Sequence, residues 1–386
     1  MSTSTYLASK PRYEILDGLR GVAALIVVAF HLFENYSPGP VYQILNHGYL
    51  AVDFFFALSG FVIGYAYDDR WNRMTLWDFA KRRLVRLHPM VVLGIVIGIL
   101  LFFFTGNNNH PLVEQTPWWM VLLLSLWAFL MLPAPTSWDI RGWGEMNCLN
   151  AATWSLMLEY AANILYALFI RHFPKWLLAA FVALSAGLTL ALCFNWDILG
   201  VLAIREYAAY TVIGGFCLTP DQILIGFTRL LYPFFAGLLL SRIGKFITLR
   251  GAFWWCSLMV TAILVMPRIG GEEAMWMNGM YEAVSILVLF PLIVAIGAGS
   301  RITDPRSINV CKFLGDISYP LYITHYPLIC FHMRWVHNHP NAPLSTHIFV
   351  AVSLFIIALG IAYASLKLYD EPVREWLKNR FLIKKK

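Results

Sequence analysis

Long apolar runs separated by short polar breaks dominate this chain. They fall at roughly 15–33, 48–67, 89–105, 118–132, 152–170, 176–194, 207–219, 223–241, 251–267, 278–297, 316–334 and 347–368. A helix needs about 20 apolar residues to cross a bilayer core, so 118–132 and 207–219 are short for a span. Backbone polar groups in lipid must be satisfied within the segment, which makes these runs helices. Lys and Arg orient them. Basic breaks hold Arg70, Arg73, Lys81, Arg82, Arg83 and Arg86, then Arg171 and Lys175, then Arg242, Lys245 and Arg250, then Arg301, Arg306 and Lys312. The breaks 34–47, 106–117 and 335–347 contain neither residue. All the basic breaks share one side only if 118–132 and 207–219 do not cross; twelve full crossings would put the Arg171 and Arg242 breaks outside. The pattern therefore predicts an all-α polytopic membrane protein. It has about ten transmembrane helices, two additional short re-entrant or interfacial segments, and both termini in the cytoplasm. One membrane domain, 15–370, lies between a cytoplasmic segment, 1–14, and a basic cytoplasmic tail, 371–386.

Composition agrees. Of 386 residues only 13% are charged and 59% are hydrophobic, about half the charge of a soluble domain. The net charge of +7 follows membrane orientation, so nucleic acid is not an expected partner. No small-residue cleavage pattern follows the first apolar run, which argues against a signal peptide. Six cysteines (Cys148, Cys193, Cys217, Cys256, Cys311, Cys330) lie in or beside apolar runs with no C-x-x-C spacing, as buried thiols do.

Against this background the ionisable residues inside apolar runs stand out, because charge in a membrane is costly and normally faces a protein interior or a wet cavity. The first run carries Asp17, Arg20 and His31. At about 100° per residue Arg20 and His31 share nearly one azimuth, and Asp17 lies within roughly 60° of both. Asp17 and Arg20 suit a mutual pair at the inner interface; His31 belongs near the outer end. The second run carries a lone carboxylate, Asp53, expected to orient His31, as a carboxylate fixes the tautomer of a histidine base. Its Ser59-Gly60 step permits close approach of a helix or ligand; no adjacent base makes Ser59 a nucleophile. Arg83 and Arg86 share a helical face that suits a phosphorylated ligand or anionic lipid. Glu159, in an otherwise apolar run, holds an arginine, orients a substrate or packs two helices. Ser318, Tyr322 and His325 form a polar stripe that lines a ligand tunnel or fixes a proline-distorted helix. His332, His337, His339 and His347 cluster near an outer connection without a recognised ligand spacing, so no metal site is predicted. These residues alone leave open an enzyme, a proton-coupled transporter of a small solute or glycan precursor, and a non-catalytic scaffold. No inverted repeat favours transport.

Taken together, the motifs resemble the acyltransferase-3 family of bacterial integral membrane O-acyltransferases. The resemblance rests on Leu16-Asp17-Gly18-Leu19-Arg20-Gly21 followed by His31, then Val52-Asp53-Phe54-Phe55-Phe56 with Leu58-Ser59-Gly60-Phe61. Arg83 and Arg86 before a proline, Trp154-Ser155-Leu156 with Glu159, and Ile317-Ser318-Tyr319 through His325 complete it. It implies a ten-helix core in the bacterial inner membrane, acetyl-CoA or another acyl-CoA as cytoplasmic donor and a carbohydrate acceptor on the far side. His31 would be the essential histidine, with Asp53 and Glu159 as further catalytic candidates. Arg20, Arg83 and Arg86 would hold the donor, and Asp17, Ser59, Tyr322 and His325 would contact substrate. Direct transfer with His31 as general base and a covalent acyl-histidine relay both fit.

Overall fold

The computed structural model describes residues 10–37, 39, 42–202 and 209–383, and its regular structure is helical. Among the described residues β-pairing is confined to two isolated bridges, Asn107 with His110 and Glu145 with Cys217. The helices are α1 Glu14–Glu34, α2 Ala51–Tyr67, α3 Leu76–Leu101, α4 Trp118–Phe129, α5 Trp154–Leu168, α6 Lys175–Cys193, α7 Pro220–Ile243, α8 Ala252–Val265, α9 Trp276–Val284, α10 Phe290–Gly299, α11 Pro305–Asn338, α12 Leu344–Ser365 and α13 Glu371–Leu377. A π turn over Ser285–Leu289 joins α9 to α10. Tyr232 OH donates to the Leu287 carbonyl at 2.7 Å, supplying a partner to a carbonyl in this irregular turn.

Seven helical stretches among the described residues are long and apolar enough to cross a membrane: Glu14–Glu34, His47–Tyr67, Leu76–Phe104, Lys175–Cys193, Pro220–Ile243, Trp276–Gly299 and Leu344–Leu382. Two sequence expectations change in detail. The basic stretch Lys81–Arg86 is not a loop but the second turn and beyond of α3. That helix starts at a capping box, with Thr75 Oγ1 accepting from Asp78 N at 3.1 Å and Asp78 Oδ2 accepting from Thr75 N at 3.2 Å. The apolar run 207–219 forms no helix over 209–219. Gly214 and Gly215 adopt φ of 130° and 101°, and Gly215 packs on Gly226 of α7 so closely that a Cβ would collide. The other short run is α4, 12 residues long. It ends at Phe129, and two residues on Met131 takes a left-handed φ of 55°.

Two helix seams organise the bundle, α1 on α11 and α2 on α7. Each exists because glycine lets backbones touch. A Cβ on Gly21 would strike the Leu314 carbonyl of α11, and one on Gly60 the Phe234 carbonyl of α7. The Ser59-Gly60 step is thus a packing feature. The basic breaks meet at one end of the bundle: Arg242 binds Asp68 at 2.7 Å, Arg171 lies 4.0 Å from the Trp71 ring centroid, and Lys10 binds Asp69 at 2.8 Å. His31 lies towards the opposite end of α1.

α11 is 34 residues long and carries Pro320 and Pro327 within it. Proline lacks the N–H that would reach the carbonyl four residues back. For Pro327 that carbonyl is Ile323, and Asn150 Nδ2 donates to it instead at 2.8 Å. The polar stripe of α11 therefore divides its labour. Ser318 Oγ bonds its own helix at Gly315 O, 2.8 Å away, while Tyr322 and His325 line a cavity.

Candidate active site

A cavity of about 140 Å3 lies among α1, α2, α5, α7 and α11, closed by the segments around 143–152 and 213–216. His31 stands in its wall, with Nδ1 2.8 Å from Glu34 Oε2 one turn along α1. With Nδ1 donating to that carboxylate, Nε2 is the basic nitrogen. His325 lies beside it, ring centroids 5.4 Å apart. Its Nδ1 donates to the Tyr322 carbonyl at 2.8 Å. Its buried Nε2 is left as an acceptor without a hydrogen-bond partner among the described residues. Tyr326 meets the His31 ring edge-on at 5.4 Å and donates its hydroxyl to Glu145 Oε1 at 3.1 Å. Glu145 is 3% exposed, and its Oε2 has no hydrogen-bond partner among the described residues. Burial pushes this carboxyl up to about 7, against the nearby Arg141 and the Tyr326 hydrogen bond.

Asp53 does not hold His31. It is fully buried and binds Arg229 of α7, with Oδ2 to Nη2 at 2.7 Å. The reason lies in the seams. Asp53 and Gly60 are seven residues apart, hence on one face of α2, and that face packs on α7. Arg229 also donates to the carbonyls of Tyr49 at 2.7 Å and Gly214 at 3.0 Å. The 209–216 segment is fixed from its other side by Glu282, which accepts from Val212 N at 2.6 Å. Ser59 is not part of the cavity wall.

The arginines gather further down α1. Arg20 binds Asp17 at 2.9 Å and buried Arg83 binds Glu159 at 2.7 Å. Arg86 has Arg83 and Arg20 as its nearest like charges. It has no carboxylate within ion-pair distance among the described residues. Glu159 thus secures an arginine and, like Asp17, lies outside the wall of the His31 cavity.

The sequence pattern of an acyltransferase domain matches residues 13–382. The chain belongs to this acyltransferase family. Over 396 aligned positions it is 25% identical to O-acetyltransferase OatA of Staphylococcus aureus, covering 97% of this chain and 60% of that protein. A putative O-acetyltransferase of the same species is 24% identical, covering 93% of this chain and 57% of that protein. Protein 2 in picA locus of Rhizobium radiobacter is 34% identical over 166 residues, 40% of this chain and 81% of that protein. The chain thus spans about 60% of the length of the O-acetyltransferases it matches. No solved structure matches it.

Membership of the family sets the chemistry as acyl transfer, which asks for a base, an acyl donor site and room for an acceptor. The base and donor candidates come from the apolar-run pattern. Among the cavity residues that are not among these candidates are Glu34, Trp143, Glu145 and Arg229. Arg229 carries the same signal as Arg20, an arginine inside an apolar run. Glu34 follows His31 at the i+3 spacing that puts two side chains on one helix face. Trp143 and Glu145 sit in a connection where polar and aromatic residues are ordinary. All six cysteines are free and buried. No group of three or more His, Cys, Asp or Glu able to hold a metal occurs among the described residues.

Proposed function

We propose that this chain is a membrane O-acetyltransferase that carries an acetyl group from acyl-CoA, bound at the arginine end, to a hydroxyl of an exported or surface carbohydrate at the His31 end. The observation that carries the reading is the disposition of groups along α1. A histidine oriented by a carboxylate stands at a cavity, and a surplus of guanidinium stands 11 residues back, about 16 Å along the helix. Arg86, with no ion pair among the described residues, and its neighbours Arg20 and Arg83 suit the phosphates of the donor. The extended arm of acyl-CoA spans the remaining distance to the cavity, passing Tyr322, whose hydroxyl bonds Ser155 Oγ at 2.7 Å.

At the reacting centre His31 Nε2 takes the proton of the acceptor hydroxyl as its oxygen attacks the thioester carbonyl. Glu34 holds the tautomer and stabilises the imidazolium that forms. The tetrahedral intermediate collapses with breakage of the C–S bond. The thiolate leaves and recovers the proton from His31, so the enzyme returns to its starting state. His325, whose Nε2 has no hydrogen-bond partner among the described residues, lines the same space and suits a hydrogen bond from the acceptor.

The seven long apolar helices, together with α5, α8 and α11, make ten crossings of the bacterial inner membrane. The basic breaks and both termini then lie in the cytoplasm. α4 enters without crossing.

The test is mass spectrometry of cell-surface glycans from wild type, a deletion strain, and the deletion complemented with His31→Ala protein at matched expression. An acetyl increment that appears only with the wild-type protein supports the reading. Identical glycans in all three, with solute uptake lost in the deletion, would instead make the chain a transporter.

A further inference from the structure

The connection between α4 and α5 is long, yet it is built as firmly as a helix. Asp139 accepts three backbone N–H groups, from Arg141 at 2.8 Å, Gly142 at 2.9 Å and Gly144 at 2.8 Å. Gly142 and Gly144 take φ of 109° and 66°, a backbone that a side chain would strain. Buried Arg141 props the turn from beneath, donating Nη1 to Thr105 Oγ1 at 3.0 Å and Nε to the Cys148 carbonyl. The strand-like bridge of Glu145 with Cys217 and the Met146 N to Phe216 O bond at 2.8 Å tie it to the 209–219 segment. Held between the two glycines, Trp143 reaches the cavity wall with its ring 5.0 Å from His110. Two residues on, Glu145 reaches the same wall.

A buried carboxyl oxygen that lines a cavity and has no partner is costly unless a ligand supplies one. Beside it stands a large flat aromatic surface. Together they match an amphipathic ring with an apolar C–H face and a hydroxyl edge. We propose that Trp143 and Glu145 form a subsite for one pyranose ring of the acceptor. Trp143 stacks on its C–H face, and Glu145 bonds a hydroxyl next to the one presented to His31. Tyr326 sets the spacing, since it touches the His31 ring and donates to Glu145. This rests on the acyl-transfer reading above and adds the residues that hold the acceptor and the ring form that they select.

The experiment uses the full chain in lipid nanodiscs with acetyl-CoA. The acceptors are a panel of methyl pyranosides and, as a flexible polyol without a flat face, sorbitol. At least one pyranoside should be acetylated with a KM about tenfold or more below that of sorbitol. Trp143→Ala should raise that KM about tenfold with kcat changed far less, Trp143→Phe should stay within about threefold, and Glu145→Gln should raise it severalfold. Glu145→Gln, which keeps the side-chain shape, keeps the test sound if Trp143→Ala fails to fold. Transfer to sorbitol as good as to every pyranoside, pyranoside KM values unmoved in Trp143→Ala or in Glu145→Gln, or transfer from acetyl-CoA to water alone would overturn the subsite while leaving acyl transfer standing. Wild-type protein that transfers acetyl to nothing, water included, would overturn both.

Discussion

The two ends of this helix bundle handle charge in opposite ways. At the basic end guanidinium is in excess: Asp17 meets Arg20, Glu159 meets Arg83 and Asp68 meets Arg242, while Arg86 has no ion-pair partner among the described residues. At the His31 end carboxyl groups predominate, with Glu34 on His31 and Glu145 on Tyr326. The basic end is made from residues on regular helices, and its pairs hold one another. The His31 end depends on two irregular segments. In its cavity wall two buried polar atoms, His325 Nε2 and Glu145 Oε2, have no hydrogen-bond partner among the described residues. A protein interior seldom tolerates such atoms. Both belong to residues of one cavity wall, where a bound molecule can supply the missing partner, whereas the opposite end offers net charge.

Between these ends lies the buried Asp53–Arg229 pair, and breaking it tests whether the His31 end rests on it. Asp53→Ala strands a buried guanidinium that also holds Gly214 and Tyr49. The expected loss is about 3–5 kcal/mol of stability, read as a lowered melting temperature in detergent and poor recovery of folded protein. An unchanged melting temperature would mean that the cavity walls stand without it. Next in size, Glu34→Gln keeps the shape but removes the charge that supports imidazolium. A fall in kcat of about 10²-fold or more is expected at unchanged donor KM. A smaller effect probes the basic end alone. Arg86→Ala should raise the donor KM about tenfold and leave kcat close to wild type; a fall in kcat with unchanged KM would contradict a role in donor binding. The smallest is a pH effect. The Glu145 carboxyl lies near 7 in the folded protein against an ordinary 4.5, so between these values the folded state keeps a proton that the unfolded chain has lost. Stability therefore falls as pH rises through that window. The melting temperature of wild type should drop relative to that of Glu145→Gln between about pH 5 and 8. Parallel curves would place Glu145 in a wetter setting than its burial indicates.

The same contrast explains what the sequence makes legible. Helices, their approximate limits and most of the basic end follow from apolar runs and their charged exceptions. A charge such as Arg20 or His31 in a run of Leu, Val and Ala can be there only for a reason. Partner choice is less accessible. Asp53 pairs with Arg229 and not His31 because the backbone contact at Gly60 turns that face of α2 towards α7, and a depth argument along the helix carries no information about rotation. The start of α3 lies in a polar stretch, where Thr75 and Asp78 supply the signal that hydropathy lacks. Trp143 and Glu145 become informative only once Asp139, Arg141 and two left-handed glycines have folded the connection over the cavity. In one dimension they are ordinary loop residues.

The Asn150 bond to the carbonyl released by Pro327 has a practical consequence for remodelling this molecule. It fastens the connection that bears Trp143 and Glu145 onto the proline-bearing stretch of α11. A graft meant to exchange acceptor preference between relatives must therefore move as a cassette, from Asp139 through Asn150, into a recipient whose α11 has a proline at the position of Pro327. Transplanting the tip alone would leave the new residues on an untethered strap and the proline's orphaned carbonyl facing nothing.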